Sequence, residues 1–431
     1  MSLQAAFEIL DIASYLLIDP ILPVISDLIL KKINAKSLVL AFHKAEYRYV
    51  PLAQRLWKII VQEFDKLIMN DTFVRLTEDE ILKLLTDKYL NIKRCDETAM
   101  VRRWLSENAN NGNNGRRLKA MLADKCDRLG FMENETRIPN SILLATGGWS
   151  AIGPTMLVES LDVRSKRWVR SEIKLFEISR AYHAVINMGD ALFTIGGFDG
   201  NEYYRSTRKF DLATMQCVEV APMYDQRCYV SCAQLDSERL IALGGYNNRE
   251  RLKSAEIFHI PTNQWHRIAD MDKRRVYAIG GFDGINCHST VEFYNEESNH
   301  WIDINIMRCP RSGVGATSLV GAIIVCGGFD GRNRLRSCEF IDPREGNWHR
   351  IRSMNRPRSN FGIETLNNEI VVVGGYSGII GTINEAESLD IRTNTWMQLP
   401  SMNIRRSALY LTRIDYHEII EKFIRPKNGI V

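Results

Sequence analysis

The residues of this sequence that could do chemistry are aromatic and arginine side chains at repeated positions. Six aromatic residues each follow a glycine pair, and five arginines open the strands that run toward those pairs. The aromatic residues are Trp149, Phe198, Tyr246, Phe282, Phe329 and Tyr376, and the arginines are Arg180, Arg227, Arg311, Arg358 and Arg406. The residue after the arginine is Ser312, Ser359 or Ser407 in three copies, and Ala181 or Cys228 in two others. Aromatic rings beside guanidinium groups are the composition of protein-binding hot spots. The pattern therefore predicts a surface that binds a protein segment.

The charge of these arginines indicates what kind of segment would bind. Five guanidinium groups that converge on one mouth repel each other unless they are neutralised, which favours an acidic partner segment. An equally weighted alternative is that each arginine pairs with a repeated acid inside its own repeat. The sequence leaves both interpretations open.

Catalytic, cofactor and metal chemistry is not predicted. The nine cysteines contain no CxxC pair and the eight histidines no HxH or HxxxH pair, so neither a zinc site nor a RING-type arrangement is indicated. The glycine pairs end strands instead of opening helices, which excludes a phosphate-binding loop. We therefore expect no enzymatic activity, no cofactor and no bound metal.

Composition predicts a cytoplasmic protein. The 431 residues carry 56 basic and 52 acidic side chains, a balance that does not indicate a nucleic-acid partner. The first twenty residues lack a basic region and contain Glu8, Asp11 and Asp19, unlike a secretory signal. The apolar stretches are interrupted by Asp or Pro, so no membrane partner is expected. Cysteines without paired spacing are typical of reduced intracellular thiols.

The elements that position the aromatic residues form a repeat. Glycine pairs occur at 147/148, 196/197, 244/245, 280/281, 327/328 and 374/375. A glutamate follows eleven residues after the second glycine and a tryptophan nine residues later, as in Glu159 and Trp168. The second copy has Arg208 and Cys217 at these positions. A glycine pair and a tryptophan at this period are typical of kelch repeats, each a four-stranded blade. We predict a six-bladed β-propeller over residues 142–415, with tryptophans between adjacent blades.

Two copies depart from the repeat. The segment "SMNIRRSALYLTRID" near the C-terminus has no glycine pair after it, so we predict that it supplies the first blade's missing strand and closes the ring. From Gly244 to Gly280 is 36 residues, where the neighbouring intervals are 48 and 47. We predict that the fourth blade lacks about one strand. We interpret this loss as a missing exon piece or a damaged gene model in preference to a genuinely incomplete ring.

Helical periodicity dominates before residue 130. Pro51 is predicted to open the helix "PLAQRLWKIIVQEFDKLI", and Thr77 with Glu80 predicts a capping box. The fold class is therefore α plus all-β. The predicted divisions are 1–33 and 34–130 for the helices, 131–141 for a linker, 142–415 for the propeller and 416–431 for a tail.

Several segments resemble the BTB–BACK–kelch family of substrate adaptors for Cullin-3 ubiquitin ligases. These segments are "ILLATGGWSAIGPT" (142–155), "SRAYHA" (179–184), "RCYVS" (227–231), "GGFDGRNRLRS" (327–337) and "RPRSNFGIE" (356–364). Residues 33–64 resemble the 3-box and opening BACK helices, and residues 8–33 the last BTB helices. The resemblance implies a non-catalytic receptor whose propeller binds target proteins for ubiquitination and proteasomal degradation, with a role in spermatid differentiation. It also implies that the aromatic, arginine and serine positions face the substrate around the central channel.

The sequence departs from the family pattern in ways that leave alternatives open. The BTB body, which dimerises and grips the cullin in the family, is missing ahead of Met1. The later BACK helices are shortened at "NNGNNG" (110–115). The partners implied are Cullin-3, through the missing body, and a protein substrate. The alternatives are a kelch scaffold without ligase function, for example an actin-binding protein, and a BTB-less competitor that sequesters substrate.

Overall fold

The chain divides into a helical unit and a β unit. The computed structural model describes residues 2–16, 18–87, 89–92, 94–108, 115–127, 138–163, 165–267, 276–295, 300–415 and 417–424. The compact units are Met1–Asn140 and Ser141–Val431. The predicted class of α plus all-β is confirmed. Residues 131–137, most of the predicted linker, lie outside the described residues. In the ranges described, no helix has the length and apolar character needed to cross a membrane.

The helical unit contains a chain of short helices. Its α-helices are α1 (Leu3–Tyr15), α2 (Leu22–Lys32), α3 (Ala35–Glu46), α4 (Val50–Gln62), α5 (Phe64–Met69), α6 (Glu78–Thr86), α7 (Arg94–Glu107) and α8 (Arg116–Asp127), with 3-10 turns at Asp19–Ile21 and Thr72–Arg75. Leu52, Leu56 and Ile60 of α4 are fully buried in its core. Pro51 lies in the first turn of α4, as predicted. The helix predicted to run on through residue 68 instead breaks at Glu63 and resumes as α5.

The predicted capping box at α6 is present and contacts α3. The Thr77 hydroxyl accepts from the Glu80 N–H, and the Glu80 carboxylate accepts from the Thr77 N–H at 2.6 Å. His43 of α3 donates from Nε2 to the same carboxylate at 3.0 Å. This hydrogen bond raises the pKa of His43 above its usual value of 6.5. Burial alone would raise the pKa of Glu80, but its hydrogen bonds with His43 and Thr77 lower it below 4.5.

The β unit is a propeller of six sheets arranged from an inner to an outer strand. In that order, the first blade contains β25 (Tyr410–Ile414), β1 (Ile142–Thr146), β4 (Val158–Asp162) and β5 (Arg167–Ser171), and the second contains β6 (Ala184–Asn187), β7 (Ala191–Ile195), β8 (Thr207–Asp211) and β9 (Gln216–Val220). The third contains β10 (Ser231–Gln234), β11 (Arg239–Leu243), β12 (Ala255–His259) and β13 (Gln264–Arg267), and the fourth contains β14 (Val276–Phe282), β15 (Cys287–Asn295) and β16 (His300–Ile304). The fifth contains β17 (Gly315–Leu319), β18 (Ala322–Cys326), β19 (Cys338–Ile341) and β20 (Trp348–Ile351), and the sixth contains β21 (Gly362–Leu366), β22 (Glu369–Val373), β23 (Ala386–Asp390) and β24 (Thr395–Leu399).

Three further elements lie outside the blades. A short hairpin follows the glycine pair of the first blade; its two strands, β2 (Trp149–Ser150) and β3 (Gly153–Pro154), have two residues each. A 3-10 turn at Gly378–Ile380 follows the sixth pair. Helix α9 (His417–Ile424) lies in the region predicted as a tail and packs against β5.

The ring closes as the sequence predicts. Strand β25 pairs antiparallel with β1 in a register that sets Ile414 opposite Ile142 and Tyr410 opposite Thr146. The C-terminal strand therefore completes the first blade, which has four strands like its neighbour.

The fourth blade has three strands among the described residues. Its sheet has the order β14, β15, β16, where the other five blades have four strands each. The strand that is lacking is the inner one, because β14 carries the glycine pair Gly280 and Gly281 that ends the second strand elsewhere. The three strands described here agree with the predicted loss of one strand. Residues 268–275, which lead into β14 and include the first part of the segment to which the loss was assigned, lie outside the described residues.

The tryptophans join adjacent blades, as predicted. Trp348 of β20 is 6% exposed and donates from Nε1 to the carbonyl of Asn305, which ends the fourth blade, at 2.7 Å. Trp168, Trp265 and Trp396 make the equivalent bond to Pro400, Ala221 and Arg352. Each ring fills the wedge between two sheets and also satisfies a carbonyl at the end of an outer strand.

We expect the His43–Glu80 pair to stabilise the helical unit most between pH 4.5 and 6.5. Because the folded pKa of His43 is raised, its contribution is fully present below pH 6.5 and is lost as pH rises through the folded pKa. Because the folded pKa of Glu80 is lowered, its contribution is present above pH 4.5 and is lost as pH falls. The melting temperature of His43→Gln should therefore fall below that of the wild type by more at about pH 5.5 than at about pH 8.5. An equal difference at both pH values would contradict this linkage.

We expect Trp348→Ala to destabilise the propeller by about 3–5 kcal/mol, because it removes a large ring from the wedge between two blades. Trp348→Phe is the matched control: it keeps most of the ring and loses the hydrogen bond to Asn305, at a cost of about 1 kcal/mol. Denaturant unfolding of both variants checks the difference. Equal loss in the two variants would show that the hydrogen bond, and not the packing, is the important contact.

Candidate protein-docking face

The five predicted arginines lie inside the blades and not on a surface. All five are 0–1% exposed. Four of them pair with the repeated glutamate of their own blade: Arg227 with Glu256 at 2.8 Å, Arg311 with Glu339 at 2.7 Å, Arg358 with Glu387 at 2.7 Å and Arg406 with Glu159 at 3.0 Å. The same guanidinium groups donate to the carbonyl of the first glycine of the blade's pair, as Arg311 does to Gly327 at 2.6 Å. The arginines are therefore internal hydrogen-bond donors.

This placement corrects the prediction that the five arginine side chains contact a bound segment. The alternative interpretation, in which each pairs with an internal acid, is right for Arg227, Arg311, Arg358 and Arg406. Their charges are neutralised by glutamates that are themselves 0–1% exposed. Mutual repulsion among these arginines therefore gives no reason to expect an acidic partner.

Arg180 is the member of the set without a carboxylate, because Arg208 occupies the glutamate position of the second blade. Arg180 bonds the Gly196 carbonyl at 2.7 Å and stacks on Tyr204, with its guanidinium carbon 4.4 Å from the ring centroid. Burial, together with the positive charge of Arg208, lowers the pKa of Arg180 to about 10. Arg208 is largely buried and donates to Glu177 at 3.3 Å.

The backbone of each buried arginine also joins its blade to the preceding one. The N–H of the second glycine donates to the arginine carbonyl of the next blade. The bonds are Gly148 to Arg180, Gly197 to Arg227, Gly281 to Arg311, Gly328 to Arg358 and Gly375 to Arg406, at 2.7–3.0 Å. A Cβ on the first glycine would lie 2.3–2.6 Å from that carbonyl at the same five junctions. The glycine pair is therefore required by the close approach of adjacent blades.

The six aromatic residues emerge where the glycine pairs end. Five of them form a backbone bridge with the residue after the buried arginine: Trp149 with Ser407, Phe198 with Ala181, Tyr246 with Cys228, Phe329 with Ser312 and Tyr376 with Ser359. Phe282 and Tyr376 are each 37% exposed and the other four aromatic residues are half-buried. Among the predicted serines, Ser312 is half-buried, whereas Ser359 and Ser407 are buried.

The structure brings the aromatic residues together through partners that the sequence analysis missed. Trp149 stacks on Phe198, with centroids 6.1 Å apart and planes at 11°. Tyr203 lies 4.5 Å from Phe198 and 5.6 Å from Tyr246, measured between ring centroids. The rings of the first three blades therefore form one continuous surface.

Two arginines continue this surface. Arg251 lies over both Tyr246 and Phe282, with its guanidinium carbon 5.0 and 5.4 Å from the ring centroids. Arg334 lies over Phe329 at 4.0 Å and over Tyr376 at 5.2 Å. Tyr203, Arg251 and Arg334 share one position, five residues after the aromatic residue of their blade, and each reaches the next blade's aromatic residue. We name the six aromatic residues with Tyr203, Arg251 and Arg334 the aromatic–arginine face.

The loops that carry the face are held by Asx turns. The carboxylate of Asp283 accepts from the backbone N–H groups of Ile285 and Asn286 at 2.7 Å, and Asp199, Asn247 and Asp330 do the same in their loops. These hydrogen bonds, of which the one from Asn286 has the larger effect and the one from Ile285 the next, lower the pKa of Asp283 to about 2. The Asp-Gly of "GGFDG" therefore folds the loop and does not serve as a free acid.

The chemistry available on the aromatic–arginine face is that of segment recognition. Stacked rings offer apolar contact, and Arg251 and Arg334 offer charged donors already oriented by cation–π contacts. In the part of the chain that the structure describes, no group of histidine, cysteine and acidic residues could hold a metal ion. The seven cysteines assigned there are all free thiols.

Family comparisons match both units. The kelch motif matches residues 179–224, 226–272, 272–308, 310–355 and 357–403, and the model named "BTB And C-terminal Kelch" (BACK) matches residues 41–124. The match at 272–308 covers the blade with three described strands. No BTB domain is found within these 431 residues.

Curated relatives match along most of the chain. A Kelch repeat and BTB domain-containing protein of Caenorhabditis elegans is 33% identical over 347 residues, and the Kelch repeat-containing protein kel-10 of the same organism is 32% identical over 348. Each match covers 75% of this chain and 60% of the relative, so the chain spans about 60% of their length. The Spermatocyte protein spe-26 of Caenorhabditis elegans is 24% identical over 53% of this chain and 45% of its own length.

We expect Arg358→Ala to destabilise the propeller by about 3–5 kcal/mol, because it leaves the Glu387 carboxylate buried without its cation. Arg356→Ala is the matched control, since Arg356 is an exposed arginine two residues away whose ion pair with Glu385 should contribute less than about 1 kcal/mol. Denaturant unfolding measures both. If Arg358→Ala unfolds like Arg356→Ala, the buried pair does not hold the blade.

Proposed function

This chain belongs to the BTB–BACK–kelch family, and on that premise we propose that it is the substrate receptor of a Cullin-3 ubiquitin ligase. The aromatic–arginine face would bind the target protein, and ubiquitin transfer would be carried out by the other subunits. The observation that carries the proposal is a BACK match in the same chain as a propeller with an open recognition face. The receptor role is non-catalytic.

We propose an acidic segment as the substrate feature that this face binds. The support comes from Arg251 and Arg334, which lie on the face and could bind the acidic segment that the sequence analysis assigned to the five buried arginines. Each already lies over two aromatic rings. A carboxylate bound there would receive a charge-assisted hydrogen bond while neighbouring apolar groups contact the rings.

The tissue role is proposed from likeness alone. The propeller segments named above resemble kelch-like protein 10 in particular, which supports a role in spermatid differentiation. A relative named as a spermatocyte protein is consistent with that role.

We expect Arg251→Ala and Arg334→Ala to weaken binding of face-selected peptides without lowering the melting temperature. Peptides selected on the full chain from a displayed random library should be rich in Asp and Glu. Loss of one charge-assisted hydrogen bond should reduce their affinity by about ten- to a hundredfold. Arg344→Ala, at an arginine whose side chain is 82% exposed on an outer loop, is the matched control and should bind normally. Peptides without acidic enrichment, or normal binding by both face variants, would contradict the assignment.

Cullin binding is tested with a BTB domain attached to the chain. The chain fused behind the BTB domain of its kelch- and BTB-containing Caenorhabditis elegans relative should co-precipitate Cullin-3, and deletion of residues 1–70 should abolish recovery by removing α1 to α5. No recovery by the intact fusion would contradict the ligase proposal. Cosedimentation of the propeller-bearing chain with actin filaments would instead favour a cytoskeletal scaffold.

A further inference from the structure

The fourth blade presents an open strand edge toward the propeller axis. The inner strands of neighbouring blades contact each other around the ring, β10 with β6, β6 with β25, β25 with β21, and β21 with β17. Among the described residues, no inner strand lies between β10 and β17. Strand β14 therefore ends its sheet there, with backbone groups that have no partner strand.

The side chains of β14 show the consequence. Tyr277, Ala278 and Ile279 are half-buried, where the equivalent residues of β18, Ile324, Val325 and Cys326, are 0–1% exposed. A Cβ on Gly281 would meet no atom within 4 Å, whereas one on Gly328 would lie 3.1 Å from the Ser312 carbonyl and one on Gly148 2.7 Å from the Ser407 carbonyl. Among the described residues, no atom occupies the space that an inner strand fills in the other blades.

The preceding blade is open on the same side. Gly245 is the second glycine of the third pair, and its N–H has no arginine carbonyl to bond among the described residues. A Cβ on Gly244 would have its nearest contact at 3.5 Å, instead of the 2.3–2.6 Å found at the other junctions. The backbone donor that would hold an inner strand of the fourth blade is therefore in place.

Glu292 is the charged group at this edge. It lies opposite Ala278 in the β14–β15 register, the position that Glu339 holds opposite Val325 in the fifth blade. Glu339 is 1% exposed and bonded to Arg311, whereas Glu292 is half-buried and makes no ion pair within the described part of the chain. The Glu292 carboxylate at this edge therefore occupies the position at which the equivalent glutamate of four other blades binds a buried arginine.

The chain's own inner segments define the kind of strand that fits. Each begins with the buried arginine, continues with Ser, Ala or Cys, and has a third residue in the left-handed region. These third residues are Tyr182, Tyr229, Gly313, Asn360 and Ala408, with φ between 51° and 56°. Gly and Asn adopt that conformation at least cost, so they are the residues expected there in a separate segment.

We propose that the open edge of β14, defined by β14, Glu292 and Gly245, binds an extended segment of a partner protein by strand addition. The segment carries an arginine, then a small residue, then Gly or Asn. Its backbone pairs with β14, the arginine side chain bonds Glu292 and the Gly280 carbonyl, and the arginine carbonyl accepts from Gly245. The site lies beneath the aromatic–arginine face and is distinct from it. Its test uses neither cullin nor a face-binding peptide, so it does not depend on the proposed function.

The test uses the full chain and the synthetic peptide RSGVGATSL, which copies residues 311–319. Calorimetric titration should show binding, and the peptide should raise the melting temperature as its concentration rises, because it binds only the folded chain. A peptide with alanine in place of the arginine, and a scrambled peptide, should bind at least about tenfold more weakly.

Variants locate the site. Glu292→Gln should weaken the peptide at least about tenfold, and Asp303→Asn should not, since Asp303 is an exposed carboxylate on the outer neighbour of Glu292. Gly281→Ala should block binding, because the added Cβ would meet the inserted backbone. Gly284→Ala carries the same positive-φ cost with an open Cβ position and should bind normally.

Three results would overturn the proposal. The first is absence of both binding and a melting-temperature shift with RSGVGATSL. The second is equal binding of the scrambled peptide, or binding that Glu292→Gln leaves unchanged. The third is self-association of the full chain through this edge, seen as a dimer that Gly281→Ala dissociates, which would assign the edge to a second copy instead.

Discussion

The buried arginine–glutamate pair is the interaction on which the propeller depends. A charge with 0–1% exposure is costly unless it is paired with an opposite charge and hydrogen-bonded, and each paired guanidinium bonds a glutamate and a glycine-pair carbonyl of its own blade. The arginine's backbone carbonyl accepts from the glycine pair of the preceding blade. The glutamate's second oxygen holds the N–H of Asn355 or its equivalents in the segment between blades. Each paired arginine therefore connects strands of its own blade through its side chain, and connects its blade to the preceding one through its backbone carbonyl.

The aromatic–arginine face is a geometric consequence of this interior. Because adjacent blades approach so closely at the glycine pairs, the next side chain must leave the sheet, and in every copy it is an aromatic residue. In the second, third and fifth blades the residue five positions later reaches the next blade's aromatic ring, and this residue is Tyr203, Arg251 or Arg334. The internal arginines are kept for stability, and the variable crossing residues give each sector of the face its own chemistry.

The two irregular blades show which parts of the repeat can change. The second blade lacks the glutamate, and Arg180 keeps its place by bonding Gly196 and stacking on Tyr204. The fourth blade lacks an inner strand among the described residues, yet β14 to β16 retain their register and Gly281 still donates to Arg311. Contacts made between neighbouring blades therefore preserve the ring where contacts within one blade are incomplete.

The repeat, the closure by β25, the short fourth blade and the capping box at Thr77 could all be predicted from the sequence. Each depends on local spacing, since glycine pairs, tryptophans and caps act over a few residues of chain. The three-dimensional structure was needed to show which arginines lie inside a blade and which lie on the aromatic–arginine face. Arg311 and Arg334 are both arginines near a glycine pair, and their exposure depends on the sheet that packs beside them. The burial of a side chain depends on neighbours that are distant in sequence, and the periodicity of a sequence does not identify those neighbours. Arg311 bonds the Gly327 carbonyl and Glu339 inside its blade, whereas Arg334 lies over two rings on the aromatic–arginine face.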